Sequence, residues 1–534
     1  MSSSNPPETN TSKNDNDNAD ENNSAAAQDA ARGTLAVLLL RLLSFVCTQW
    51  TFRILDDDVA ALGRASIRLE LLLTTTLFVS REGFRLALTR NQGNNWDVAW
   101  LSIPMSMASS VLALIWHLQR SSKEEDEDFR IAGMLYCLAA FIEGLGEPCA
   151  LYWLRELKVA MRVFAEGTAT VVKTFTTVLA LQKLLPKWPV LAFGIAQVSY
   201  ALVYTTFLYA KTWSLLALPK WERMDPHSCY LLVVFTVQGL FKHLLTEGDR
   251  IVLATLSGSY DQGVYAMGSS YGGLAARIIL QPLEENARLL WSRLQSEKSR
   301  TIDQMEQSYV VLVKVVMYVG FTFSFFATSY TSILLNILAG KKWGKNQEAT
   351  IVLSAFCVYT AFLALNGMTE AFLYGVTTSG SEIGRLGMVH TVVGVIFGAM
   401  ASFFVSEFGT VGLVAANCIA MLLRSFYSIN YAMRYFAHQR KKPRSLIARR
   451  ILFQMFPHWA VMLAYSTSAV VTRLSLNWLN SHDDIEMGSQ RWFLLASKHI
   501  AVGGVCFAVV LALAFTLEKD FRRSLRSLLH SKVD

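Results

Sequence analysis

The chain has 534 residues, 52% hydrophobic and only 17% charged, with a mean hydropathy of +0.32. Soluble domains carry about a quarter charged residues, so this composition excludes a water-soluble globular fold and predicts a membrane protein. The formal charge of +8 does not point to nucleic acid, because Lys and Arg are spread over short loops between apolar runs rather than gathered on one face.

Residues 1–30 are Asn, Asp, Ser and Glu with almost nothing to bury, which predicts a disordered tail. No basic stretch followed by a short apolar core is present there, so no cleaved signal peptide is expected. The tail holds sequons at Asn10 and Asn22, expected to go unused on the cytosolic side.

From Thr34 onward, apolar runs of roughly the ~20 residues that cross a bilayer recur with short polar breaks. They lie near 34–54, 67–89, 97–118, 131–153, 163–184, 189–210, 229–256, 263–289, 307–338, 349–374, 386–406, 410–432, 453–475 and 495–517. The expected fold is therefore an all-α polytopic membrane protein of about fourteen helices. The 307–338 run is long enough to conceal a break. Seven cysteines (Cys47, Cys137, Cys149, Cys229, Cys357, Cys418 and Cys506) are scattered, mostly through these runs. No disulfide framework or metal site follows from them.

Cytosolic loops carry an excess of Lys and Arg. With the N-terminus inside, that side receives Arg155, Lys158 and Arg162, then Lys211, Lys220 and Arg223, then Arg293, Lys298 and Arg300, and the block RKKPRSLIARR. The C-terminal KDFRRSLRSLLHSK falls there too, so both termini are expected in the cytosol. The opposite loops hold DDD (Asp56 to Asp58), KEEDED (Lys123 to Asp128) and SHDDIEMG, and only GKKWGK (Gly340 to Lys345) breaks the pattern.

An internal repeat relates Asp58–Arg85 to Asp261–Arg288 without a gap, each running from a turn Asp through an apolar helix to an E-x-x-R end. Both copies enter from the acidic side, which predicts a parallel repeat and two six-helix lobes. The lobes are expected at 34–210 and 229–432, with an additional helix pair at 453–517 and a basic tail at 518–534. The repeat sets Arg81 and Arg85 against Arg277 and Arg288 on equivalent helices.

Ionisable groups at bilayer depth cost on the order of 3 kcal/mol and persist facing a cavity or a partner. On the second run Glu70, Arg81 and Arg85 share one helical face, with Glu82 turned away by about 100°. Glu143, just before GLGEP, and Glu147 within it lie one turn apart. Glu166 opens the fifth run, and Lys173 lies two turns deeper in an apolar, Thr-rich stretch. The seventh run contains FKHLLTEGDR, with Lys242, His243, Glu247, Asp249 and Arg250. On the eighth, Arg277, Gln281, Glu284 and Arg288 fall on one stripe at helical spacing, beside Glu285, with Pro282 freeing a carbonyl. Most of these groups sit toward the cytosolic ends of their runs, which predicts a polar vestibule open to the cytosol. Its cations suit an anionic head group. The bland alternatives are snorkelling for Arg85, Arg288 and Glu166 and structural ion pairs for Arg81 with Glu82 and Lys242 with Glu247.

LLLTTTLFVSREGFRLAL, FAEGTATVVKTF, LFKHLLTEGDRIVL, DQGVYAMGSSYGGLAARIILQPLEENAR and RLLSFVCTQWTFRIL resemble the dolichol-linked oligosaccharide translocation proteins of the endoplasmic reticulum. That family belongs to the multidrug/oligosaccharidyl-lipid/polysaccharide exporter superfamily, and the resemblance covers roughly residues 34–520. It implies an endoplasmic-reticulum membrane location. It also implies a non-enzymatic role in N-linked glycosylation, helping a heptasaccharide diphosphate-dolichol intermediate from the cytosolic to the lumenal leaflet. The family's charged positions match Arg81, Glu82, Lys173, Glu247, Asp249, Glu284 and Glu285. The partners implied are the dolichol-linked oligosaccharide and membrane lipid. Whether such a protein moves the lipid itself or supports another translocator is left open by the resemblance.

Two other classes compete. A dolichol-sugar glycosyltransferase uses acidic residues in its first lumenal loop, where DDD lies, but this loop of about a dozen residues has no room for the surface such enzymes build. An antiporter of the MATE type shares the superfamily. There is no GxxxxGK[ST] motif, so no nucleotide cofactor is expected.

Overall fold

The structure, a computed structural model, describes residues 43–90, 96–121, 127–156, 159–184, 186–213, 226–296, 302–377, 379–481 and 487–530. The expected N-terminal tail, and most of the KEEDED and SHDDIEMG loops, lie outside them. All regular secondary structure among the described residues is helical, and the chain divides into two compact units.

The first unit comprises residues up to Thr51 and Leu72–Gly239. It contains most of α1 (43–54) and the greater part of α3 (Glu70–Arg90). It also contains α4 (Ser102–Arg120), α5 (Glu127–Leu145), α6 (Glu147–Arg155), α7 (Val159–Leu179) and α8 (Pro189–Thr212). Small residues let these helices approach, as apolar lipid supplies no hydrophobic drive between them. A Cβ on Gly194 of α8 would meet Ala132 Cα of α5 at 3.2 Å, and one on Gly144 of α5 would meet Ser106 Oγ of α4 at 1.7 Å. The first N–H groups of α8 have no intrahelical acceptor. Asp128 takes them, accepting from Val190 N at 3.0 Å and Leu191 N at 2.6 Å, so the last acid of KEEDED is a buried cap rather than a solvated loop residue.

The second unit comprises Phe52–Leu71 and Leu240–Asp534. Thus Phe52–Leu71, which falls within the 34–210 lobe expected from sequence, packs with the later half of the chain. It carries α2 (Val59–Gly63) and a π-helical turn, Arg64–Leu69. Helix α9 (Pro226–Thr246), whose residues up to Gly239 belong to the first unit, leads to α10 (Gly248–Leu256) and α11 (Ser259–Ala275). A second π turn, Ala276–Leu280, precedes α12 (Gln281–Ser296). Next come α13 (Ile302–Phe325), a 3-10 turn at Ala327–Ser329 that interrupts the 307–338 run, and α14 (Thr331–Leu338). After α15 (Lys341–Lys345) and α16 (Gln347–Val376) comes α17 (Gly380–Arg440), which is broken at Gly409. Gly409 adopts φ +57°, which a residue with a Cβ rarely tolerates. The chain closes with α18 (Arg444–Met455), α19 (Trp459–Asn480), α20 (Gln490–Leu517) and α21 (Lys519–His530). Trp291, Tyr309, Phe372 and Phe436 form a buried aromatic core, with Trp291 and Phe372 edge to face at 5.2 Å between ring centres.

Six of the described helices are long and apolar enough to cross a membrane, or seven if α5 and α6 form one bent span. The protein is an all-helical polytopic membrane protein.

The one loop that broke the charge pattern is explained within this unit. Lys342 of GKKWGK pairs with Asp57 and lies 3.6 Å from Asp56, and Trp343 Nε1 donates to the Phe52 carbonyl at 2.9 Å. Asp58 caps α2 by accepting from Ala61 N at 2.9 Å. All three acids of DDD thus have a partner within this unit.

Candidate functional site

In the first unit α5 and α6 meet at Gly146 with a bend of 44°. Pro148, in the first turn of α6, has no N–H to give, and Gly146 N bonds back to Glu143 O rather than continuing the α ladder. Two carbonyls at the bend are satisfied from α8 instead. Thr205 Oγ1 donates to Ile142 O at 2.9 Å and Tyr209 OH to Leu145 O at 2.8 Å. The break leaves Glu143 in the last turn of one helix and Glu147 in the first turn of the next, where the helix dipole favours a carboxylate.

Helix α3 brings two cations to these acids. Arg81 Nη2 donates to Glu143 Oε2 at 3.2 Å and its Nε lies 3.0 Å from Glu147 Oε2. Arg85 grips Glu147 with a fork, Nε to Oε1 at 2.7 Å and Nη2 to Oε2 at 3.0 Å. From α8, Gln197 Nε2 donates to the remaining oxygen of Glu143 at 2.9 Å. The acids are 4% and 1% exposed and the arginines 12% and 21%. The carboxylates are thus the most deeply buried members, and Arg85 is the more exposed of the two arginines. Lys173 of α7 lies within electrostatic range of Glu143, as Glu166 does of Arg85. Glu166 pairs with Arg162 at 2.8 Å on its own helix. Glu82 is not the partner of either arginine; its Cγ packs beside Gly239.

The second unit builds a smaller cluster. Arg424 of α17 forks onto Glu370 of α16, Nε to Oε1 at 2.8 Å and Nη2 to Oε2 at 2.9 Å, and His390 Nε2 lies 3.2 Å from Oε1. Glu284 rests on Gly367, where a Cβ would fall 1.8 Å from its Oε1, within electrostatic range of Glu370 and Glu285.

The remaining expected residues are dispersed. Arg277 turns back on its own helix, donating to Gly273 O at 3.2 Å and Ser270 O at 3.0 Å. The π turn at Ala276–Leu280 adds about one residue to its turn. Arg277, Gln281, Glu285 and Arg288 are exposed while Glu284 is half-buried. His243 is buried, Glu247 pairs with Arg250 at 2.9 Å, and Asp249 accepts from Tyr265 OH at 3.0 Å. Glu70 opens α3, half-buried. The Lys242 side chain lies outside the described residues.

A family model described as Rft-1, Rft protein, matches residues 30–528. The chain belongs to the Rft protein family. Among relatives of this Rft chain is a Xenopus tropicalis protein named Man(5)GlcNAc(2)-PP-dolichol translocation protein RFT1, 28% identical over 95% of this chain and 97% of its own. A Mus musculus protein of the same name is 28% identical over 94% and 96%. A structure titled lipid II flippase MurJ, inward closed conformation, covers 90% of this chain and 99% of its own with a TM-score of 0.62 at 10% identity. An inward-facing MATE family transporter of the MOP superfamily covers 75% and 96% with a TM-score of 0.50 at 13% identity. These likenesses show that the Rft chain shares their fold.

Sequence reasoning placed Glu143 and Glu147 at depth but did not join them to Arg81 and Arg85. It missed Gln197, His390 and Arg424 altogether. The GLGEP break was the available signal for the first pair, since it marks where a carboxylate gains a helix N-terminus. Nothing local marks Arg424, whose partner lies 54 residues away.

Proposed function

We propose that this protein carries a diphosphate-dolichol-linked heptasaccharide from the cytosolic to the lumenal leaflet of the endoplasmic reticulum membrane for N-linked glycosylation. The observation that carries the reading is the ion-pair network of Arg81 and Arg85 with the buried Glu143 and Glu147, with Lys173 within electrostatic range of Glu143. A diphosphate offers the planar-fork acceptors that an Arg recognises. Arg85, the more exposed arginine, meets it first and exchanges its contacts with Glu147 for phosphate oxygens, while Arg81 stays within 3.0 Å of Glu147 and keeps that buried carboxylate paired. Membership of the Rft family and the printed names of the relatives support this cargo. The reading takes about fourteen membrane crossings with both termini in the cytosol, two lobes and an additional helix pair, and a binding rather than catalytic role. Arg81, Arg85 and Lys173 bind the head group. Glu82, Glu284, Glu285, Arg277 and Arg288 remain candidate cargo contacts from the sequence, with Glu70, Glu166, Lys242, His243, Glu247 and Asp249 in support.

A second reading has its own observation. Both arginines already have carboxylate partners, as in a structural core, and in that case the protein supports the lipid-linked oligosaccharide pathway without moving lipid. Two measurements separate the readings. Depleting the protein in its own cells should make one truncated lipid-linked oligosaccharide accumulate under both. Purified protein in liposomes should speed transfer of that glycolipid between leaflets only under the first. An unchanged lipid-linked oligosaccharide profile would refute both.

A further inference from the structure

The last helix has a construction that transport of the cargo does not use. Helix α21 follows the membrane-spanning α20 with only Glu518 between them. Glu518 ties that junction down. It accepts from Lys314 Nζ at 2.5 Å, from Tyr318 OH at 3.3 Å and from the backbone N of His458 at 2.7 Å. Beyond it, the Phe521 ring lies 5.9 Å from that of Tyr318 and beneath Lys314, and Ser524 Oγ accepts from Gln307 Nε2 at 2.8 Å. One face of α21 is thus seated along α13.

At 100° per residue, Phe521, Leu525 and Leu528 make that seated face, while Lys519, Arg522, Arg523 and Arg526 fall within about 100° of arc on the other side. Arg522 folds over Phe515 at 4.1 Å. Lys519, Arg523 and Arg526 are exposed. Helix α18, which packs on α13 as well, adds the exposed Arg444 and Arg449. A rigidly held cationic stripe at the point where a span leaves the bilayer lies at head-group depth. There an anionic surface attracts each Lys or Arg, and the attraction decays within a Debye length.

We propose that the exposed face of α21 is a binding surface for anionic phospholipid head groups of the leaflet at the Leu517 end of α20. The seating on α13 pre-pays the ordering of the helix, so lipid meets an assembled site. The bound lipid in turn holds this end of α13 and α20 at a fixed depth.

The test uses the full-length protein in neutral detergent, titrated with short-chain phosphatidylserine or phosphatidylcholine and read by native mass spectrometry. The variant is Lys519→Gln/Arg523→Gln/Arg526→Gln, and the control is Arg473→Gln/Arg491→Gln/Lys498→Gln, three exposed cations on α19 and α20. Loss of three cations lowers phosphatidylserine affinity by on the order of a hundredfold at low salt. The first variant should lose phosphatidylserine and keep phosphatidylcholine binding, the control should keep both, and added salt should erase the difference. Equal phosphatidylserine loss in variant and control would overturn the assignment. So would displacement of phosphatidylserine by inorganic diphosphate at equal charge, which would make the stripe a site for soluble anions. Matching thermal unfolding of variant and wild type separates lost binding from lost fold.

Discussion

Replacing Glu147 by Gln keeps the shape of the side chain and removes one charge from beneath two arginines. In the native cluster Glu147 holds Arg85 through two contacts of 2.7 and 3.0 Å and Arg81 through one of 3.0 Å. Two unit charges about 4 Å apart at an effective dielectric of about 20 interact by roughly 4 kcal/mol. Arg85 is 21% exposed, so hydration and side-chain ordering reduce its share of the coupling to about 2 kcal/mol. Glu147→Gln leaves Glu143 to serve two guanidinium groups and should cost about 3 kcal/mol, the low end for breaking a buried pair. Arg85→Gln leaves Glu147 still paired with Arg81 and should cost only about 1.5 kcal/mol. The double variant should cost about 2.5 kcal/mol, less than the sum of the singles, because the second change removes the charge that the first left uncompensated. The assay is equilibrium unfolding of purified protein in mixed micelles, accepted only where helix content and tryptophan fluorescence report one transition. An Arg85→Gln cost equal to that of Glu147→Gln, or additivity within about 0.5 kcal/mol, would refute the cluster as an electrostatic unit.

Gly63→Ala should sharply lower protein abundance, since its Cβ would lie 2.0 Å from the Ser259 carbonyl oxygen and 2.6 Å from Gly263 N, backbone atoms that cannot turn aside. Gly384→Ala, where nothing lies within 4 Å, should instead be neutral or stabilising by up to about 1 kcal/mol as helix propensity improves; matched immunoblots decide. Lys173→Glu should abolish complementation of a depleted strain at near-normal abundance, because it sets a third anion beside Glu143 while leaving packing intact; simple degradation of the variant would mark Lys173 as structural. A glycosylation acceptor inserted at Ser122 should be modified and one at Arg444 should not, and the reverse result would invert the membrane orientation.

The sequence by itself was enough for the membrane class, the all-helical architecture and the family resemblance. Those properties reside in local composition, in runs of about twenty apolar residues and in short motifs such as SREGFR and TEGD. One break was legible too, in the 307–338 run, too long for a single span and interrupted at Ala327–Ser329, whereas the run at 131–153 was read as continuous and bends at Gly146. Pairing was not legible. Arg81 and Arg85 meet acids 62 residues away, and Lys342 meets Asp57 285 residues away, distances over which no periodicity carries information. The nearer candidate, Glu82, lost because it points about 100° away from Arg81 around the helix. The eighth run shows the same limit within a single segment. Its charges were spaced for one helical stripe, but Arg277 folds back onto carbonyls of its own helix and of the stripe's charges only Glu284 is half-buried. Only the packed structure could decide these points, because a charge in a low-dielectric interior takes whichever partner the crossing of two helices brings within about 3 Å.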